Sequence, residues 1–94
     1  MRWLIERQLK ATAAKLRSAR EDLDRLGYEV DSFSHDADDL KTLAIASSRV
    51  DAERDYEEAD QQTRVLRKAQ ADLRVRIAHL VEKQDALLDK IGAR

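Results

Sequence analysis

Cysteine and proline are both absent from this chain, and glycine occurs only at Gly27 and Gly92. Without cysteine there is no disulfide framework, no thiolate nucleophile and no zinc–thiolate site. The chain is therefore indifferent to redox compartment, and a reducing cytosol is its default setting. Two isolated glycines exclude a glycine-rich phosphate loop. Aromatic side chains number four, and none sits beside the arginine-rich stretches as a stacking platform for bases. No apolar run approaches the roughly 20 residues of a membrane span, and the opening Met-Arg-Trp-Leu-Ile is too short for a signal peptide. A soluble, cytoplasmic protein is expected.

What remains is 43% hydrophobic and 39% charged over 94 residues, the mixture of a long helix or coiled coil. A chain of this length holds one domain at most, and a thin hairpin buries less than a globule of equal size. Counting outward from Ser48, core-type residues recur at alternating three- and four-residue spacing in both directions. The two runs are mirror images. Ile5 is as far from Ser48 as Ile91, Leu9 as Leu87, Leu23 as Leu73, Val30 as Leu66, and Ala44 as Ala52. That symmetry predicts an all-α fold, an antiparallel two-helix coiled-coil hairpin spanning 1–94, with a first arm over about 2–46, a turn at 47–49 and a second arm over about 50–92.

Two local features compete with a continuous first helix. Gly27 costs about 1 kcal/mol relative to Ala in a helix interior, and Asp31 to Asp36 contains good capping residues. The heptad phase nevertheless passes through Leu26, Val30, Phe33, Ala37 and Leu40 without a slip, so a continuous, weakened helix is expected. Ser47 and Ser48 precede Asp51 in the Ser-x-x-acid pattern of a helix start. The layers nearest the turn are small, with Ala37 opposite Ala59 and Ala44 opposite Ala52. Thr12 opposite Gln84 and Leu26 opposite Gln70 weaken the seam and help to fix its register.

The near-zero net charge hides a polar distribution. Residues 29–60 carry eleven acidic and three basic side chains, and the rest of the chain is correspondingly basic. Asp36, Asp38, Asp39, Asp51 and Asp55 form an acidic patch around the turn, while Arg17, Arg20, Arg64, Arg67, Arg74 and Arg76 enrich the remainder. Arg20 and Arg74 share an edge of the hairpin, as do Lys15 and Lys83. Such like-charge neighbours are mildly destabilising unless something acidic covers them. Asp22 with Arg76 and Lys41 with Glu53 are favourable counterparts.

Apolar residues also stand outside the seam: Trp3, Leu4, Val81 and Leu88 near the termini, and Leu43, Ile45 and Val50 near the turn. Together with the charge separation they favour an antiparallel homodimer closing into a four-helix bundle. The candidate interface comprises these residues and Arg20, Arg67 and Arg74, which are expected to meet partner carboxylates.

Chemistry is sparse. His35 lies near Asp36 and Asp39 on one helical face, and His79 near Glu82 and Lys83, but a solvated surface histidine is the expected reading of each, and no metal, cofactor or catalytic residue is predicted. Tyr56 is expected to pack at the seam against Leu40 with its hydroxyl reaching water. Nucleic-acid and membrane binding are not expected, because the arginines are matched by an equal acidic load and no amphipathic face is uniformly basic.

The stretch from Ala37-Asp38-Asp39 through Ser47-Ser48 to Asp51–Ala59, with the closing Gln84–Asp89 run, resembles a group of small uncharacterised actinobacterial coiled-coil proteins. The resemblance implies a helical hairpin and brings no activity. The acidic turn end, with Asp36, Asp38, Asp39, Asp51 and Asp55 behind a Ser-Ser-Arg tip, is similar to transcript-cleavage and stringent-response factors. Their helical hairpins enter the RNA polymerase secondary channel, although this chain lacks their globular docking domain. The small secreted hairpins of mycobacterial secretion systems are similar in size, but the Trp-x-Gly turn is missing and Tyr56-x-x-x-Asp60 begins the second arm instead of following it. The leading expectation is a non-enzymatic, self-associating interaction or adaptor protein with an unidentified protein partner. The alternative is a transcription modulator acting through the acidic end.

Overall fold

The computed structural model describes residues 1–93. Two helices, α1 (Arg2–Ser47) and α2 (Val50–Gly92), are joined by Ser48 and Arg49, making an all-α helical hairpin. With no proline to remove a backbone donor and abundant Ala, Leu, Glu, Lys, Arg and Gln, nothing in either arm interrupts the i→i−4 ladder. α1 runs unbroken through both weak points. A β-carbon added at Gly27 would meet nothing within 4 Å, so this glycine answers no packing need.

The chain divides into two compact units. A terminal unit combines Met1–Leu23 with α2 from Asp72 onward, and a turn unit comprises Asp24–Ala71. In the terminal unit, Thr12, Leu16, Ala19 and Leu87 are buried, and Ile5, Leu9, Leu23, Leu73, Ile77, Leu80, Gln84 and Ile91 are half-buried. In the turn unit, Val30, Ala37, Ala52, Thr63 and Leu66 are buried, flanked by half-buried Leu26, Leu40, Ala44, Tyr56, Ala59 and Gln70. Every buried side chain among the described residues occupies a seam position of the seven-residue repeat. Burial of these apolar groups drives the pairing of the arms, because helix propensity alone leaves isolated helices marginal in water.

Phe33 is the one seam residue left exposed, at 37%. The adjacent layer toward the turn pairs Ala37 with Ala59, and short side chains there let the helices approach closely, which limits the space for a phenyl ring beside them. The two buried threonines are self-satisfied. Thr12 Oγ1 donates to the Gln8 carbonyl at 2.8 Å and Thr63 Oγ1 to the Ala59 carbonyl at 2.8 Å, so neither hydroxyl needs a partner across the seam.

The turn departs from the expected capping pattern. Ser48 has φ 54°, a left-handed conformation uncommon for a residue other than glycine, and its N–H donates to the Ala44 carbonyl at 3.0 Å. It thus closes the C-terminal end of α1 in an αL motif and does not cap α2. Ser47 stays helical and donates its hydroxyl to the Leu43 carbonyl at 2.6 Å. Arg49 is the residue before α2, and its carbonyl accepts the Glu53 N–H at 3.1 Å. The Ser-x-x-acid match failed because Ser48 is taken up by terminating the preceding helix.

Candidate interaction surfaces

In a two-helix seam the side chains immediately beside the core line two edges, one formed by the e positions of both helices and one by the g positions. In the terminal unit, Arg20 and Arg74 occupy the e edge with Val81 and Leu88. Leu88 is 51% exposed, Val81 is half-buried and both arginines are exposed. Trp3, one turn of the wheel outward on the same side, is 59% exposed, and Leu4 is also exposed. These seven-residue registers come straight from the sequence, and of the side chains named there as spare apolar surface Trp3, Leu4 and Leu88 are exposed, whereas Val81 is half-buried.

On the g edge of the same unit, Lys15, Asp22 and Arg76 line a shallow depression of about 110 Å³ with Ser18, Ala19 and Leu73. The expected neighbourhood of Asp22 and Arg76 is therefore present. Lys15 stands in the same place and makes no ion pair among the described residues.

The turn unit has a larger open cleft of about 470 Å³, lined by Lys41, Ala44, Ile45, Ser48, Glu53 and Tyr56. It brings Lys41 to the same wall as Glu53, as expected, and places Tyr56 beside Ile45, which is 74% exposed. Val50 and Leu43 are exposed nearby in the sequence, and Arg67 is exposed on α2.

All five carboxylates of the acidic patch are exposed, but they are not equally free. Asp51 accepts hydrogen bonds from Arg49 Nε and Nη2 at 3.3 and 2.8 Å. The Arg49 guanidinium holds the Asp51 carboxyl below the usual carboxylate range, helped by the backbone N–H groups of Asp51 and Ala52 at the start of α2. Asp39 lies 3.6 Å from His35 Nε2, one helical turn away. Asp36, Asp38 and Asp55 make no ion pair among the described residues.

Four exposed apolar residues escaped the sequence reading: Met1, Tyr28, Val65 and Val75. Their off-seam heptad positions were legible, but isolated apolar residues on a helix exterior are common and single out no surface. Among the described residues no three His, Asp or Glu side chains gather as metal ligands, and no helix is long and apolar enough to cross a membrane. No protein-family model, curated protein or solved structure matches the chain.

Proposed function

We propose that this chain is a non-enzymatic coiled-coil protein of the cytoplasm that pairs with a second copy of itself and serves as an adaptor or structural partner for another protein. The observation that carries the reading is the partition of charge between two units with the same seam. The terminal unit has eleven basic and seven acidic residues, net +4, and the turn unit seven basic and twelve acidic, net −5. Each unit of one copy is thus an electrostatic match for the other unit of a second copy.

Exposed apolar side chains at both units, Trp3 and Leu88 in one and Ile45 and Val50 in the other, supply area that a paired assembly buries. A chain free of cysteine suits a reducing compartment, and the open cleft and small depression found among the described residues suit recognition better than chemistry. Arg20, Arg67 and Arg74 are the contacts for partner carboxylates, with Trp3, Val81 and Leu88 as apolar anchors.

The test is light scattering coupled to size exclusion over a range of protein and salt concentrations. The expected result is twice the 10.8 kDa chain mass, with the equilibrium moving toward the single chain as salt rises. A single-chain mass at every concentration would overturn self-association.

A further inference from the structure

The terminal unit carries the chain's single tryptophan, and the turn unit carries a cleft suited to an indole. Trp3 is 59% exposed, so an aromatic ring able to bury about 150–250 Å² is left largely in water. Tryptophans that carry binding energy do so by seating in a partner's pocket.

The cleft, about 470 Å³ and open to solvent, falls within the roughly 300–1,000 Å³ of sites that enclose a drug-sized group, which leaves room for an indole. Its lining holds each group an indole can use. Ala44, Ile45 and the Tyr56 ring offer hydrocarbon and an aromatic neighbour, Lys41 an ammonium for the ring face, and Glu53 a carboxylate to accept the indole N–H. Neither Lys41 nor Glu53 makes an ion pair among the described residues. Ile45, 74% exposed, is the apolar lining residue with most to gain from being covered.

Charge indicates whose indole enters. The cleft lies in the unit of net −5, where Asp38 and Glu57 stand one helical turn from Lys41 and Glu53. The nearby bases are engaged or turned outward: Arg49 is held by Asp51, Arg64 by Asp60, and Arg54 sits at an f position opposite the seam. Trp3 lies in the unit of net +4, a sum that includes Asp85 and Asp89 of α2. On its own helix Arg7 and Lys10 follow at i+4 and i+7, while Glu6 is taken up by Arg2 at 3.1 Å.

Resting on the self-association read above, we infer that the turn-unit cleft receives Trp3 of a second copy of this chain. Under a twofold axis the contact occurs twice, each copy giving its indole and receiving the other's. One pairing then covers Trp3 and Ile45 on both chains and sets a basic unit against an acidic one.

Because the chain has one tryptophan, its own fluorescence reports the contact without any substitution. As concentration rises through dimer formation, followed in parallel by sedimentation equilibrium, emission is expected to move to shorter wavelength and acrylamide quenching to fall severalfold. Trp3→Ala and Ile45→Asn are each expected to weaken the dimer at least about tenfold. Both side chains are exposed in the single chain, and circular dichroism verifies that the helices persist. An equimolar mixture of the two variants keeps one intact contact, Trp3 of the Ile45→Asn chain in the unaltered cleft of the Trp3→Ala chain. It is expected to form a mixed dimer tighter than either variant forms with itself.

A wild-type dimer whose emission and quenching match those of the single chain would overturn the assignment of Trp3 to the cleft. Variants that dimerise as tightly as the wild type, or a mixture no tighter than either variant alone, would do the same. A wild-type chain that stays a monomer would instead overturn the self-association on which the assignment rests.

Discussion

The terminal unit and the turn unit follow one seven-residue repeat and differ in what they place on it. Leu and Ile dominate the seam of the terminal unit, from Ile5, Leu9 and Leu16 to Leu80, Leu87 and Ile91, whereas four of the turn unit's seam positions are alanine: Ala37, Ala44, Ala52 and Ala59. The repeat decides which side of a helix faces inward, and side-chain volume then decides how much apolar area is removed from water and how closely the helices approach. The terminal unit therefore draws more of its stability from burial, and the turn unit more from close approach and from the local bonding of its connection.

Truncating a large seam residue probes this difference hardest. Leu16, 2% exposed, should lose about 3 kcal/mol on Leu16→Ala, through lost transfer energy and a cavity the surrounding leucines cannot close. Leu66→Ala in the turn unit should lose about 2 kcal/mol, since Leu66 is 9% exposed against 2% for Leu16 and so removes less area from water. Urea unfolding followed by circular dichroism at fixed protein concentration measures both. Equal losses would erase the distinction between the units.

The converse change sharpens it. Ala37→Leu forces a large side chain into a closely approached layer and should destabilise by about 1–3 kcal/mol, although it adds apolar surface. Stabilisation by this substitution would show that the turn unit is underfilled and not tightly approached.

Gly27→Ala should raise stability by about 1 kcal/mol, because the helix gains propensity and the new methyl meets no atom within 4 Å. A loss of stability would mean that this stretch of α1 needs glycine for a conformation other than the straight helix.

The smallest effect concerns the connection. Asp51 has a depressed pKa in the folded chain, so the stability it contributes is present above the ordinary aspartate value and is lost as pH falls through the lower folded-state value. Asp51→Asn should flatten that part of the acid limb of a stability–pH curve by lowering stability slightly at neutral pH while leaving it unchanged at pH values where Asp51 is already protonated. An acid limb identical to the wild type would show that the Arg49 contact is too solvated to matter.

The hairpin itself was legible because a long, unslipped repeat has one consistent solution, and every α2 seam residue from Ala52 to Ile91 is buried or half-buried. The edges were legible for the same reason, as the shared depression of Asp22 with Arg76 and the shared cleft of Lys41 with Glu53 illustrate. Phe33 was misread because the repeat records position and ignores the space left by neighbouring alanines. Ser48 was misread because serine serves both as a helix start and as a left-handed terminator, and only the backbone φ and the bond to the Ala44 carbonyl decide between them. Of the candidate surfaces, the charges and spare apolar residues could be read from position, whereas the cleft of about 470 Å³ around Tyr56 depends on the shape of the turn, which the heptad pattern does not contain.

Head-to-tail pairing of oppositely charged units is the central claim, and energy transfer between labelled copies tests it most directly. Because the chain has no cysteine, single labels can be placed through Ala14→Cys in the terminal unit and Thr42→Cys in the turn unit, both exposed and both on the helix exterior away from the seam. Mixing donor-labelled Cys variants of one kind with acceptor-labelled variants of the other should give efficient transfer, and mixing two copies labelled at the same position should give little. Efficient transfer only between like-labelled copies, or none in any mixture, would contradict the account.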